Sequence, residues 1–167
     1  MTLIYHGTSL EKGISILWRG AILSPFQKKM ESLEKSDPDL SVFEREKIAM
    51  QLMNVMYNPR EIYHRAFCLS VVLNDLALAK GYAINWDELS DRDGGINGGL
   101  AFGIEVSESF LRQYTKDITP GGICFIEGSL SLSALKEVYV TPLARSFLSG
   151  IQREFSKYGF HPTFDVS

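Results

Sequence analysis

The chain opens with a short apolar run, residues 3–5, which predicts a strand. After His6-Gly7 the apolar positions change to helical spacing, with Leu10, Ile14, Leu17 and Trp18 on one face. Thr8 with Glu11 three residues on predicts a capping box, and Gly20 after Arg19 a left-handed C-terminal cap. From Gln27 onward Lys and Glu dominate, broken by Asp37-Pro38-Asp39. Ser41 and Glu44 predict a second capping box, and Ile48, Leu52, Val55 and Met56 a helical face ending at Asn58-Pro59. Residues 27–58 therefore read as a helical insertion. Its charge run is a solvated face, and its Met50, Met53 and Met56 stripe is core rather than groove.

Beyond it, Asn58-Pro59 predicts a short helix through Arg65, and residues 66–72 a strand. Asn74 is placed to cap a helix that carries Leu76, Ala79 and Ala83 inward, and 87–99 reads as a loop. Strands follow at 100–106, 123–127 and 137–140. A helical turn starts at Ser107, and a last helix follows Thr141-Pro142 with Phe147, Ile151, Phe155 and Tyr158 at near-helical spacing. The order lacks a regular strand–helix–strand alternation, which disfavours a doubly wound parallel sheet. An α+β fold with a bent or split sheet fits better, as a single domain over 1–167.

Composition narrows the function. The 167 residues carry 17 Lys and Arg against 20 Asp and Glu, a net charge of −3. That excludes the overall basic field of a generic nucleic-acid binder and leaves room only for a local patch. Cys68 and Cys124 sit in apolar surroundings and read as reduced core thiols. Two cysteines and three histidines make a structural zinc site improbable. The N-terminus lacks the basic and apolar regions of a secretory signal, and no apolar stretch approaches the roughly 20 residues needed to span a bilayer. The expectation is a soluble, cytoplasmic protein that uses neither metal nor membrane.

Few segments carry chemistry. The glycine-rich Gly94-Gly95-Ile96-Asn97-Gly98-Gly99 precedes a strand and lacks the Lys-Ser/Thr of a phosphate loop, so it reads as a mobile loop. Asp87, Asp91 and Asp93 fail the EF-hand spacing for calcium. No G-x-S-x-G elbow is present. His64 reads as a helix-end histidine and His161 as structural. His6 differs, because it ends a strand and is followed by Gly7 and Thr8. A glycine there lets a ligand approach the backbone closely, and the helix start offers N–H groups.

Tyr5-His6-Gly7-Thr8-Ser9, the helix after it, and Arg19-Gly20-Ala21-Ile22 together resemble the opening of the ADP-ribosyltransferase superfamily. Its branches include diphtheria-toxin-like and poly-ADP-ribose-polymerase-like enzymes and RNA 2′-phosphotransferases. Phe67-Cys68-Leu69-Ser70, followed by Ala79-Lys80-Gly81-Tyr82-Ala83, is similar to the family's second strand and its helix. Residues 100–111 resemble its middle strand, and residues 127–140 its closing strand pair. The resemblance implies a split, mostly antiparallel sheet with flanking helices and NAD, as substrate, in the cleft. It implies that His6 bonds a ribose hydroxyl of the adenosine half, that the Gly7 and Thr8 backbone holds the nicotinamide carboxamide, and that Tyr82 stacks on the nicotinamide. Phe67 would supply a second ring, and Glu127 the carboxylate that grips the nicotinamide ribose.

The sequence departs from the family at two places. The second-strand tyrosine of the His-Tyr-Glu branch falls on Phe67 or Cys68. If Gly128 is the glycine after the last catalytic strand, the glutamate position falls on Ile123, and Glu127 stands four residues late. Glu105 is another carboxylate within the pattern. The function expected is NAD-dependent ADP-ribosyl transfer to an unknown protein or nucleic-acid acceptor. The alternative is a degraded member that binds NAD, ADP-ribose or a protein partner. A 2′-phosphotransferase needs several basic residues around its phosphate, and the acidic composition argues against it.

Overall fold

The structure, a computed structural model, describes residues 1–93 and 97–167, with residues 90–93 described in backbone only. Gly94, Gly95, Ile96 and the side chains of Asp91 and Asp93, weighed above for calcium, lie outside the described residues.

The first strand is longer than the apolar run, β1 at Thr2–Ser9, and α1 follows directly at Leu10–Arg19. Ser9, not Thr8, is the N-cap: its hydroxyl accepts from the Lys12 N–H at 3.3 Å. Thr8 stays in the strand, buried, because β1 pairs with β4 (Gly99–Val106) along its whole length. Gly20 closes α1 at φ +75°, and its N–H reaches the carbonyls of Ile16 and Leu17. Leu10, Ile16 and Leu17 face inward, whereas Trp18 turns outward and donates from Nε1 to Glu154.

After β2 (Ala21–Ile22) come α2 (Pro25–Ser36) and α3 (Val42–Met56), the expected insertion. Both open on capping boxes, Ser41 with Glu44 as read from sequence and Ser24 with Gln27 besides. The inward face of α3 is not the one expected. Ala49 and Met53 are buried, while Val55 and Met56 stand in solvent. Helix α3 packs on α2, with Ala49 and Met53 as its buried residues, and that packing overrides the longer apolar stripe. The short helix expected before residue 66 is a π-helical turn at Tyr63–Phe67.

Next come β3 (Cys68–Leu73) and α4 (Leu76–Asp93). Asp75 caps α4 by accepting from the Leu78 N–H. Asn74 sits at φ +47°, and its Oδ1 accepts from Leu3 N–H while its own N–H donates to the Leu3 carbonyl. The helix runs through residues 87–93, which the sequence reads as loop. Asp87 has poor helix propensity, but its carboxylate is held by tertiary bonds. Thr141 Oγ1 donates to it at 2.5 Å and Leu143 N–H at 3.1 Å. Thr141 Oγ1 in turn accepts from the Gly99 N–H at 2.8 Å. This set of bonds ties α4 to the start of β4 and to the segment after β8.

The chain finishes with α5 (Glu108–Tyr114), β5 (Thr115–Ile118), β6 (Ile123–Glu127), β7 (Leu130–Ser131), β8 (Leu135–Val140), α6 (Leu148–Lys157) and β9 (Thr163–Asp165). Seven strands form one sheet in the order β5-β6-β3-β1-β4-β8-β9, and β2 pairs with β7 apart from it. Every pairing is antiparallel except β8 with β9. Helices α1 and α6 cover one face, where Leu17, Ile151 and Phe155 pack on Ile4, Phe102 and Ile104. Helix α4 covers the other, its Ala79 and Ala83 small enough to let the helix lie close on β1 and β4. The sheet is mostly antiparallel and flanked by helices, as expected for α+β.

The outer edge of α4 is pinned by charge. Lys80 Nζ meets Asp165 Oδ2 at 2.9 Å and lies 4.9 Å from the Tyr139 ring centroid. Bonds from the Ser167 hydroxyl, then its N–H, with Lys80 beside, hold the Asp165 carboxyl down to about 2. A depressed carboxyl contributes stability above its unfolded value of about 4 and loses it as pH falls towards 2. Asp165→Asn is expected to cost on the order of 1 kcal/mol at pH 7, after allowing for solvent screening, and nothing near pH 2. Urea midpoints at the two pH values measure it.

Candidate functional site

β1 and β3 pair at only two positions, Ile4 with Leu73 and Tyr5 with Val72. Beyond Tyr5 the strands part, and His6 and Gly7 lie at the opening. The His6 side chain bridges it, Nδ1–H donating to the Ser70 carbonyl at 3.0 Å. A carbonyl only accepts, so Nδ1 carries the proton and Nε2 is left as an acceptor. Burial lowers the pKa of this imidazole, Lys28 and Lys12 lower it further, and the Ser70 bond works the other way. The ring is therefore neutral at pH 7.

A cavity of about 450 Å³ fills the opening on the α4 side. His6, Gly7 and Ser70 form its floor, Ile123 closes one side, and Tyr82 and Trp86 of α4 form a wall. At Gly7 the helix lies over β1: a Cβ there would lie 3.4 Å from Ala83 N and 3.5 Å from Tyr82 Cβ. The glycine thus leaves its backbone accessible at the floor. Tyr82 is 41% exposed, so its ring is open to a ligand rather than sealed into the core. Tyr5 also lines the cavity, but its hydroxyl is spent on Glu137. Burial and that carboxylate push the phenol well above its ordinary range.

A second cavity of about 630 Å³ adjoins the first and shares His6, Ser70 and Ile123 with it. Lys28 of α2, Arg60, His64 and Arg65 reach it, with Glu61 and the ring of Phe125. His64 stacks on Phe125 at 4.4 Å with 10° between the planes, and its Nε2 is 3.7 Å from Asp117.

Of the residues singled out from sequence, His6, Gly7 and Tyr82 meet at one cavity. Thr8 does not line it, being buried opposite Leu100. Phe67 packs on Phe26 at 4.9 Å instead. Glu127 pairs with Cys68 at the far end of β6 from Ile123, roughly 13 Å along the strand. Its Oε2 meets Lys116 Nζ at 3.2 Å. Glu105 lies opposite Leu3, three residues along β4 from the partner of His6. Ile123, on which the glutamate position falls if Gly128 is the glycine after the last catalytic strand, lines both cavities with His6. Both cysteines are buried thiols, with Cys68 pushed up to about 11 by burial and by Glu127.

Asn85 and Trp86 precede the loop read from residue 87 but belong to no motif that points to them, whereas Leu89 falls inside that loop. Tyr82, Asn85, Trp86 and Leu89 recur at i, i+3, i+4 and i+7, and all four line the cavity. No group of three or more His, Cys, Asp or Glu side chains able to hold a metal occurs among the described residues. No helix among them is long and apolar enough to cross a membrane.

No family model matches the sequence. No curated protein matches it either. Among solved structures the chain is similar to DarT of Thermus sp. 2.9, solved in complex with ADP-ribosylated single-stranded DNA. The TM-score is 0.53 at 13% identity, over 99% of this chain and 94% of that one. The architecture is thus an ADP-ribosyltransferase-like fold, in agreement with the resemblance read from Tyr5-His6-Gly7-Thr8-Ser9.

Proposed function

We propose that the first cavity binds NAD and that the protein transfers ADP-ribose from it to an acceptor. The observation that carries this is the parting of β1 from β3 at His6-Gly7, which puts an imidazole acceptor, a glycine backbone and an exposed tyrosine ring around one cavity. In this reading His6 Nε2 accepts from a ribose hydroxyl, the Gly7 backbone holds the carboxamide, and Tyr82 stacks on the nicotinamide. The bond from the anomeric carbon to the nicotinamide nitrogen breaks, and nicotinamide leaves with the bonding pair. An acceptor nucleophile attacks the same carbon and gives up its proton. Positive charge develops on the sugar, where the neutral histidine adds no repulsion and the aromatic face adds stabilisation. The DarT complex, with its ADP-ribosylated single-stranded DNA, supports a nucleic-acid acceptor over a protein one.

A second reading, NAD or ADP-ribose binding without transfer, is favoured by Ile123 and Glu127. The β6 residue that lines both cavities with His6 is aliphatic, Ile123, and the carboxylate four positions on is engaged with Lys116. For transfer, Glu127 would have to give up Lys116 and also close the roughly 13 Å along β6 that separates it from Ile123. Calorimetric titration with NAD tests what the two readings share. The wild type is expected to bind, and Tyr82→Ala to weaken binding roughly tenfold, about the worth of one stacked aromatic pair. A wild type that takes up no NAD at millimolar concentration would reject both.

A further inference from the structure

We propose that the second cavity seats the acceptor, and that this acceptor is a single-stranded nucleic acid. The proposal rests on reading the first cavity as the NAD site and assigns what enters beside it.

Three observations carry it. The first is charge. The chain is acidic overall, at −3, yet Lys28, Arg60 and Arg65 converge on one cavity from α2, the turn after α3 and the π-helical turn. Glu61 is the carboxylate among the residues lining it, and it lies 3.6 Å from Arg65. Lys28 is exposed and makes no hydrogen bond or ion pair among the described residues, and neither does the Arg60 side chain. Lys12 and Arg19 add to the positive field around Lys28. An anion in the cavity would relieve that field, and phosphodiesters spaced along a strand fit cations spread over three elements.

The second is the ring pair. His64 and Phe125, stacked at 4.4 Å with their planes 10° apart, both line the same cavity, and a further unstacked base would extend that stack on an outer ring face. Cations beside an aromatic platform take single strands, whereas the bases of a duplex are stacked away from such a surface. The third is continuity. Both cavities share His6, Ser70 and Ile123, so a nucleotide in the second lies next to the sugar that the first would hold.

The test uses fluorescence anisotropy of the full chain with a labelled 12-nucleotide mixed-sequence DNA strand, the matching RNA strand and the DNA duplex. The paired substitution Arg60→Gln with Arg65→Gln touches exposed side chains and leaves the fold intact. It is expected to weaken strand binding at least tenfold and to flatten the salt dependence by roughly 1.4 in log–log slope, about 0.7 for each phosphate no longer neutralised. Phe125→Leu keeps the apolar volume and removes the ring. It is expected to weaken binding roughly tenfold at unchanged slope. NAD affinity, measured separately by calorimetry, should stay within twofold in both.

Unchanged strand binding in both variants would overturn the proposal, as would duplex binding as tight as the strand. A parallel fall in NAD affinity would overturn it too, by giving the cavity to the NAD diphosphate. If the wild type binds the strand as described but not NAD, the docking assignment survives and the NAD reading fails. If NAD is cleaved but no strand binds, only the docking assignment fails.

Discussion

Gly98→Ala and Gly99→Ala are expected to be the most destabilising small substitutions in the chain. A Cβ on Gly99 would stand 2.6 Å from the Ala83 carbonyl oxygen and 2.9 Å from that of Thr8. Both neighbours are backbone, so neither can swing aside. On Gly98 it would stand 2.6 Å from Ala144 N and 2.7 Å from Thr141 Oγ1, at φ +86°. Overpacking of this kind costs roughly 3 kcal/mol or more, and the left-handed backbone of residue 98 adds about 1 kcal/mol. For a domain of this size that lowers Tm by roughly 6–12 °C.

Two other glycines serve as controls on the cause. Gly20 also sits at positive φ, but a Cβ there meets nothing within 4 Å, so Gly20→Ala should cost about 1 kcal/mol. Gly81 lies within α4 with open space around it, so Gly81→Ala should raise stability by about 0.5–1 kcal/mol. Thermal melts of the four variants check the order. A Gly99→Ala protein that melts with the wild type would mean that α4 does not lie on β1 and β4 as described, and the cavity wall would go with it.

The second large effect concerns His6. His6→Ala is expected to lower the rate of NAD cleavage at least a hundredfold, the scale set by losing a group that holds the bound dinucleotide in position. The lost bond to Ser70 costs only about 1 kcal/mol of stability, so the variant should remain folded and melt a few degrees lower. The pH profile gives an independent sign. Burial, Lys28 and Lys12 lower the imidazole pKa, so Nε2 stays an acceptor at neutral pH and is protonated only below the ordinary imidazole range. The rate should therefore be level from pH 7 upward and fall on the acid side, with its midpoint below about 6.5. Stopped nicotinamide assays across that range read it. A midpoint above 7 would mean the ring is not in the surroundings described.

Much of this is legible in the sequence where local chemistry decides. The strand, turn and helix around His6, the Gly20 cap and the Ser41–Glu44 box each depend on residues within four positions of one another. The errors share a different cause. Ser9 rather than Thr8 caps α1 because pairing with β4 extends β1 further than its apolar run suggests. Helix α4 outruns its propensity because Thr141 and Leu143, more than fifty residues away, bond to Asp87. Strands β5 and β9 are short edge strands with mostly exposed or half-buried residues, so no alternation announces them. The site divides the same way. His6, Gly7 and Tyr82 are visible as a motif and a helical repeat, whereas the second cavity gathers Lys28, Arg60, His64 and Arg65 from separate elements with no common spacing. Counting from Gly128 places Glu127 late, and in the structure it does stand apart, bonded to Lys116.

Transfer and mere binding part at one bond, the one that joins nicotinamide to the ribose. Proton NMR of NAD mixed with the purified protein, with and without a single-stranded oligonucleotide, follows free nicotinamide directly. The account predicts nicotinamide release by the wild type, faster with the oligonucleotide present, and none above background from His6→Ala. NAD left intact by the wild type under both conditions would contradict it.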